Sequence, residues 1–295
     1  MAVLVVANDT GGAELVSLFV KSMKLDCKFL LDGPAKLVFQ SNLKITELLI
    51  LDDIPIDYDY LLSGLSWSSK LELRCIKHAN YMRRKSFVFL DHWNFSNHDF
   101  MLEGMMVLPT ALVTADEFAY NRAVELFPNT AVILLENQYL EYISLRIKYL
   151  NTTIEAKRQI LFLSEPMDNH IAKLIESNQV VERNTYTEIE GFKYFIANIK
   201  NITLDIEKVV IRPHPSQQGQ KFTEQYLCQM DNIFLSENEE LLIDILESEI
   251  VVGFQTMAMV VALHAGRRVI SAIPPNCGNC ILPYPGIEML RNLID

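Results

Sequence analysis

Short apolar runs rich in Val, Ile and Leu recur along this chain, each closed by Gly, Pro, Asn or Asp and followed by a stretch with apolar residues at helical spacing. In the first half the runs at 2–7, 27–31, 47–50, 87–90, 111–114 and 131–134 read as buried strands, with a further strand tip at 60–64. In the second half the same reading applies to 159–163, 208–211, 233–235, 250–253 and 269–272. The intervening spacing predicts helices over 13–23, 35–39, 68–84, 117–127 and 137–150, then over 169–176, 187–200, 220–230, 239–246 and 254–266, with a last short one over 287–293. Residues 95–108 carry neither period and read as an irregular loop that could serve as a lid.

Strands alternating with helices imply parallel sheets covered on both faces. The alternation restarts at Gln159 after a long helix and the polar stretch Asn151-Thr152-Thr153. A chain of 295 residues is comfortable for two domains. The expectation is an α/β protein of two Rossmann-like domains facing a cleft, 1–150 and 151–295.

The net charge of −11 argues against general nucleic-acid binding and against a polybasic membrane anchor. The first apolar run has no basic flank and meets Asn8-Asp9 too early for a signal or spanning segment, so a cytoplasmic location with at most peripheral membrane contact is expected. Five cysteines, an odd number, read as reduced thiols. Cys277-Gly278-Asn279-Cys280 lacks the further ligands that zinc needs, and Asp57-Tyr58-Asp59, formally a D-x-D, reads as an acidic loop.

Ligands in open α/β sheets bind at the carboxyl ends of strands, so candidate chemistry is sought there. The run Val209-Val210-Ile211 stops at Arg212-Pro213-His214-Pro215, which sets His214 at a strand tip beside Arg212. Gly253-Phe254-Gln255-Thr256 opens an apolar helix whose amino end offers N–H groups and positive potential. Ser164 and Glu165 end the first strand of the second domain. In the first domain Asn8-Asp9-Thr10-Gly11-Gly12 is a strand, glycine turn and helix start, without the spacing of a dinucleotide fingerprint or the Lys of a P-loop. Asp32 ends the second strand, and Asp91-His92-Trp93 ends the strand at 87–90.

Arg212-Pro213-His214-Pro215 resembles the His-Pro motif of bacterial sialyltransferases, capsule Kdo transferases and CDP-glycerol polymerases, which are GT-B glycosyltransferases. Gly253-Phe254-Gln255-Thr256 through His264-Ala265-Gly266 is similar to their Gly-x-x-Ser helix, with Val261 where many of them carry a ribose-holding glutamate. The resemblance lies in the last third of the chain. It implies a metal-independent, inverting transfer of a sugar from a nucleotide donor to a glycan or glycolipid acceptor, with no cofactor. On this reading Arg212, His214, Pro215, Ser164, Glu165, Gln255 and Thr256 bind the donor, and Gly11, Gly12 and Asp32 lie on the acceptor side. The base is Asp9, or Asp91 with His92. A carboxylate at Glu165 would accept from the cytosine amine and repel the uracil carbonyl, which favours a CMP-linked donor. Two other readings stand beside this one, a UDP-sugar epimerase, for which the chain looks short, and a non-catalytic nucleotide-sugar-binding protein.

Overall fold

The structure, a computed structural model, describes residues 2–294 except 45–53, 67–68, 169–170, 172–184, 215–216, 218–225 and 228–230. The strand expected at 47–50, Pro215, and most of the helices expected at 169–176 and 220–230 lie outside the described residues. The chain divides into two compact units, Met1–Tyr142 and Ile143–Asp295.

The first unit contains β1 (Val3–Ala7), β2 (Cys27–Leu31), β3 (Tyr60–Ser63), β4 (Lys85–Leu90), a small hairpin of β5 (Met101–Leu102) and β6 (Met105–Met106), β7 (Ala111–Thr114) and β8 (Ala131–Leu134). Apart from the hairpin, these strands form one parallel sheet in the order β2-β1-β3-β4-β7-β8. Every residue of β1 is buried, as a central strand covered on both faces requires. Its helices are α1 (Thr10–Met23), α2 (Ala35–Leu43), α3 (Leu71–Tyr81), α4 (Glu117–Leu126) and the start of α5 (Gln138–Leu150). On α1, Ala13, Val16 and Val20 pack against Val5, Phe39, Leu62 and Phe89 to make the core. Gly12 lets α1 approach the end of β3 closely, because a Cβ there would meet the Gly64 Cα at 2.8 Å.

The segment at 95–108 is a packed structure rather than an irregular loop. A short 3₁₀ turn, Asn97–Phe100, begins with a reciprocal cap between Ser96 and Asp99, and the β5–β6 hairpin follows. Glu103 and Gly104 turn that hairpin at φ 52° and 77°, the left-handed pair that a two-residue connection demands. Phe95, Phe100, Leu102 and Val107 bury their side chains beneath it.

The second unit contains β9 (Lys157–Leu163), α6 (Glu188–Ala197), α7 (Ile199–Ile202), β10 (Lys208–Arg212), β11 (Ile233–Leu235), α8 (Leu241–Glu247), β12 (Ser248–Gly253), α9 (Met257–His264), β13 (Arg268–Ser271) and β14 (Ile287–Met289). The strands form a second parallel sheet in the order β11-β10-β9-β12-β13-β14. Phe162 centres its core, edge-on to Phe192 and Phe254 and stacked on Phe195 at a centroid distance of 5.4 Å. Residues 287–293 are a strand followed by a 3₁₀ turn rather than the expected helix. Parallel pairing with β13 and a bidentate clasp of Glu288 by Arg268, both contacts at 2.8 Å, hold the segment extended. Among the described residues no helix is long and apolar enough to cross a membrane.

Candidate functional site

In the second unit β10, β9 and β12 are neighbours and parallel, so the residues after Arg212, Leu163 and Gly253 emerge along one sheet edge. Glu165, buried at that edge, accepts the backbone N–H groups of Phe254 at 3.1 Å and Gln255 at 2.6 Å through Oε1. Thr256 caps α9, its Oγ1 accepting from Ala258 N–H at 3.4 Å. A carboxyl thus already stands where the chain turns into α9, and burial, outweighing these donors, pushes its pKa up to about 7.

Buried Ser164 and Glu188 belong to a second group, with half-buried Gln217 and His214. The Ser164 Oγ is in hydrogen-bond contact with Glu188 and with Gln217. The Gln217 side-chain amide donates to Glu188, and its Oε1 also accepts the His214 backbone N–H at 3.0 Å. One hydroxyl proton cannot serve both neighbours of Ser164. With that proton on Gln217 Oε1, the contact to Glu188 needs a proton on the carboxyl. Burial drives Glu188 the same way, its pKa rising to about 7 against the lowering effect of Ser164 and Gln217. Burial lowers the His214 pKa, which favours the neutral imidazole near pH 7.

Arg212 points elsewhere. Its guanidinium donates to buried Asp244 at 2.6 Å and to the carbonyls of Asn238 and Glu239 at 2.9 and 2.8 Å, tying β10 to the segment that leads into α8. This clasp engages the guanidinium within the unit, so a donor-binding role for Arg212 remains a proposal.

In the first unit, the tips of β2, β1, β3 and β4 lie side by side. Asp9 precedes α1, and its carboxylate accepts the Ser66 hydroxyl at 2.8 Å. Asp91 lies over Gly11: a Cβ on that glycine would come within 1.8 Å of Asp91 Oδ2. Burial raises the Asp91 pKa, partly countered by His92, while the charge of Asp9 adds to the rise. Asp91 Oδ1 and His92 Nδ1 are buried without a hydrogen-bond partner. Trp93 is buried and donates its indole N–H to Asp116 at 2.8 Å, so it anchors the loop from below. Asp32 is exposed and paired with Lys36 at 3.0 Å, with the Gly33 N–H and Lys36 holding its pKa low. Asp9 and Asp91, by contrast, are half-buried.

The structure therefore gathers Asp9, Gly11, Gly12 and Asp91 at one edge of the first unit, and Ser164, Glu165, His214, Gln255 and Thr256 at one edge of the second. Sequence reasoning missed Glu72, Glu188 and Gln217. A signal existed for two of them. Glu72 shares the buried face of α3 with Ile76 and Ala79, and Glu188 that of α6 with Gly191, Phe192 and Phe195, at spacings of three, four and seven residues. A carboxyl on the apolar stripe of a helix is a buried carboxyl. Among the described residues no three His, Cys, Asp or Glu side chains are placed to hold a metal ion.

No family model and no curated protein matches the chain. Solved structures do. A UDP-GlcNAc 2-epimerase from Methanocaldococcus jannaschii superposes with a TM-score of 0.63 at 11% identity, covering 99% of this chain and 90% of its own. The UDP-GlcNAc 2-epimerase of Neisseria meningitidis bound to UDP-GlcNAc gives 0.57 at 12% identity, over 92% of this chain and 82% of that one. The kitacinnamycin glycotransferase gives 0.51 at 9% identity, over 98% and 85%. The chain has the GT-B fold. At these identities the likeness is one of fold, and it places both units, each with its parallel sheet, within that architecture.

Proposed function

We propose that the protein acts on a nucleotide-activated sugar as a glycosyltransferase, with the nucleotide held by the second unit and the acceptor by the first. The supporting observation is the half-buried linkage of His214, Gln217 and Ser164 at the tips of β10 and β9, beside the amino end of α9, which follows neighbouring β12. A neutral imidazole keeps one ring N–H to donate to a phosphate oxygen, and the amino end of α9 adds positive potential as the leaving phosphate gains charge. In the transfer, the acceptor oxygen bonds to the anomeric carbon as the bond to phosphate breaks, and a carboxylate of Asp9 or Asp91 takes the hydroxyl proton. Inversion and independence from metal are part of this proposal.

A CMP-linked nonulosonic acid or Kdo donor, passing its sugar to a surface polysaccharide or glycolipid, is the form that the His-Pro resemblance suggests. The cytidine preference rests on Glu165 reading the base, yet Oε1 of that carboxyl is engaged by the turn before α9. The proposal is therefore stated for nucleotide sugars as a class. A thermal-shift panel of CMP, CDP, UDP and GDP tests it. A nucleotide at a hundredfold excess over its Kd should stabilise the fold by about 2.7 kcal/mol. No stabilisation by any of the four would end the proposal.

A second reading, a UDP-sugar 2-epimerase, is favoured by the span of the likeness, since this chain covers 90% of the length of the archaeal epimerase. Incubation with UDP-GlcNAc alone separates the two. Epimerised product without an acceptor supports the epimerase.

A further inference from the structure

The net charge of −11, summed over the chain, hides one face of the opposite sign. Residues 70–85 carry Lys70, Arg74, Lys77, Arg83, Arg84 and Lys85, six of the chain's 26 lysines and arginines, and a single acid, Glu72, which is buried. The register of α3 arranges them. Its buried side, with Leu73, Ile76 and Ala79, packs against β1, β3 and β4. Lys70, Arg74, Lys77 and Tyr81 follow one another at spacings of four, three and four residues, so they share the outer side, and all four are exposed. Arg83 and Lys85, also exposed, continue the basic stripe beyond the helix. Lys77 pairs with Glu103 at 2.9 Å and Arg84 with Asp59 at 3.9 Å. Among the described residues Lys70, Arg74, Arg83 and Lys85 have no ion-pair partner.

The β5–β6 hairpin is tied to the same helix. Glu103, at its turn, holds the Lys77 ammonium, and the Leu108 carbonyl just beyond β6 accepts from the Asn80 side chain at 2.9 Å. Met105 and Met106 lie between these two ties, 54% and 47% exposed, and Tyr81 at the end of α3 is 84% exposed. Cations with no internal partner thus stand next to flexible thioethers and an amphipathic ring that water alone does not favour. A polynucleotide would match the charge, but methionines give bases no face to stack on. A bilayer uses both features, its phosphates meeting the cations and its acyl boundary taking the apolar groups.

We propose that this face of the first unit docks on an anionic phospholipid surface, with Lys70, Arg74, Arg83 and Lys85 on the head groups and Tyr81, Met105 and Met106 entering the interface. The proposal is independent of the nucleotide-sugar reading.

The test sediments the full chain with vesicles of phosphatidylcholine, alone or with about 30 mol % phosphatidylserine, at about 0.1 M salt. Partitioning should be at least about tenfold stronger on the anionic vesicles, and should fall at least about tenfold at about 1 M salt, where the Debye length shrinks to about 3 Å. Arg74→Glu with Lys85→Glu should weaken it by about tenfold or more. Lys193→Glu with Lys200→Glu, which changes the net charge equally at exposed positions of the second unit, should leave it within about twofold. Met105→Ser with Met106→Ser should weaken it by about fivefold or more. Equal binding to the two kinds of vesicle, or equal loss in the two charge variants, would overturn the proposal. Full binding in the methionine variant, together with equally tight binding of polyuridylate that depends on Arg74 and Lys85, would overturn it in favour of a polynucleotide. If the Arg74 and Lys85 variant does not fold, as judged by circular dichroism, the vesicle comparison in the unaltered chain and the methionine variant still decide it.

Discussion

The Asp91 carboxyl rests on the bare Cα of Gly11, where a methyl group would lie 1.8 Å from Oδ2. Gly11 is the second residue of α1 and helical, so its role is space for the carboxyl rather than backbone freedom. Through this contact the glycine turn after β1 sets the position of a candidate base that belongs to β4.

Gly11→Ala should therefore displace Asp91 and leave the α1 backbone intact. If Asp91 is the base, turnover should fall by about 10²-fold or more, as a misplaced catalytic group does. Circular dichroism and nucleotide affinity should be unchanged. Native turnover in Gly11→Ala would remove Asp91 from the mechanism.

Asp9→Asn, Asp91→Asn and His92→Ala divide the base assignment among them. The variant that lacks the base should lose turnover by about 10²–10⁴-fold with little change in nucleotide affinity. If Asp91 acts by orienting His92, the two single variants and the double variant should fall by similar amounts, because groups acting as a unit are not additive. Near-native turnover in all three would point to a base elsewhere in the first unit, with Asp32 next in rank.

On the proposed function His214→Ala removes the donor to phosphate, and Gln217→Ala removes the acceptor that holds the His214 backbone N–H. Each should weaken nucleotide binding by about 1–3 kcal/mol, roughly 5- to 150-fold, in a titration with the best nucleotide of the panel. Gln217→Ala also frees Ser164 and Glu188, so its loss of thermal stability should exceed that of His214→Ala. An unchanged Kd in both variants would detach this edge from nucleotide binding.

Glu72, Glu165 and Glu188 have pKa values raised from 4.5 to about 7, in each case chiefly by burial. Between those values the folded chain holds protons that the unfolded chain has released. Stability should therefore fall as pH rises from about 4.5 to 7 and level off above it, by up to about 3 kcal/mol per group. Urea titrations across that range measure the slope. Glu72→Gln, which has no proton to lose, should flatten the decline, and an unaltered slope would show that Glu72 is not held protonated by the fold.

The GT-B architecture was legible because buried parallel strands are nearly continuous apolar runs and their helices carry a 3.6-residue stripe, and both signals are local. The strand-tip positions of Asp9, Asp91, Ser164 and His214 followed from the same pattern. Strand order, and hence which tips are neighbours, did not. Only the pairing of β9 with both β10 and β12 brings Glu165 to the turn before α9, across 89 residues to Phe254. The same holds for Arg212. Nothing in its sequence neighbours points to Asp244, the buried carboxylate 32 residues away that the fold supplies. The extended tail at 287–289 depends on β13 for its hydrogen bonds, so its conformation could not be read from its own residues. Protonation is the furthest from the sequence. A carboxyl is charged or neutral according to how much water the fold removes and which charges it brings near, and Glu72, Glu165 and Glu188 acquire their shifted pKa values only when distant segments close over them.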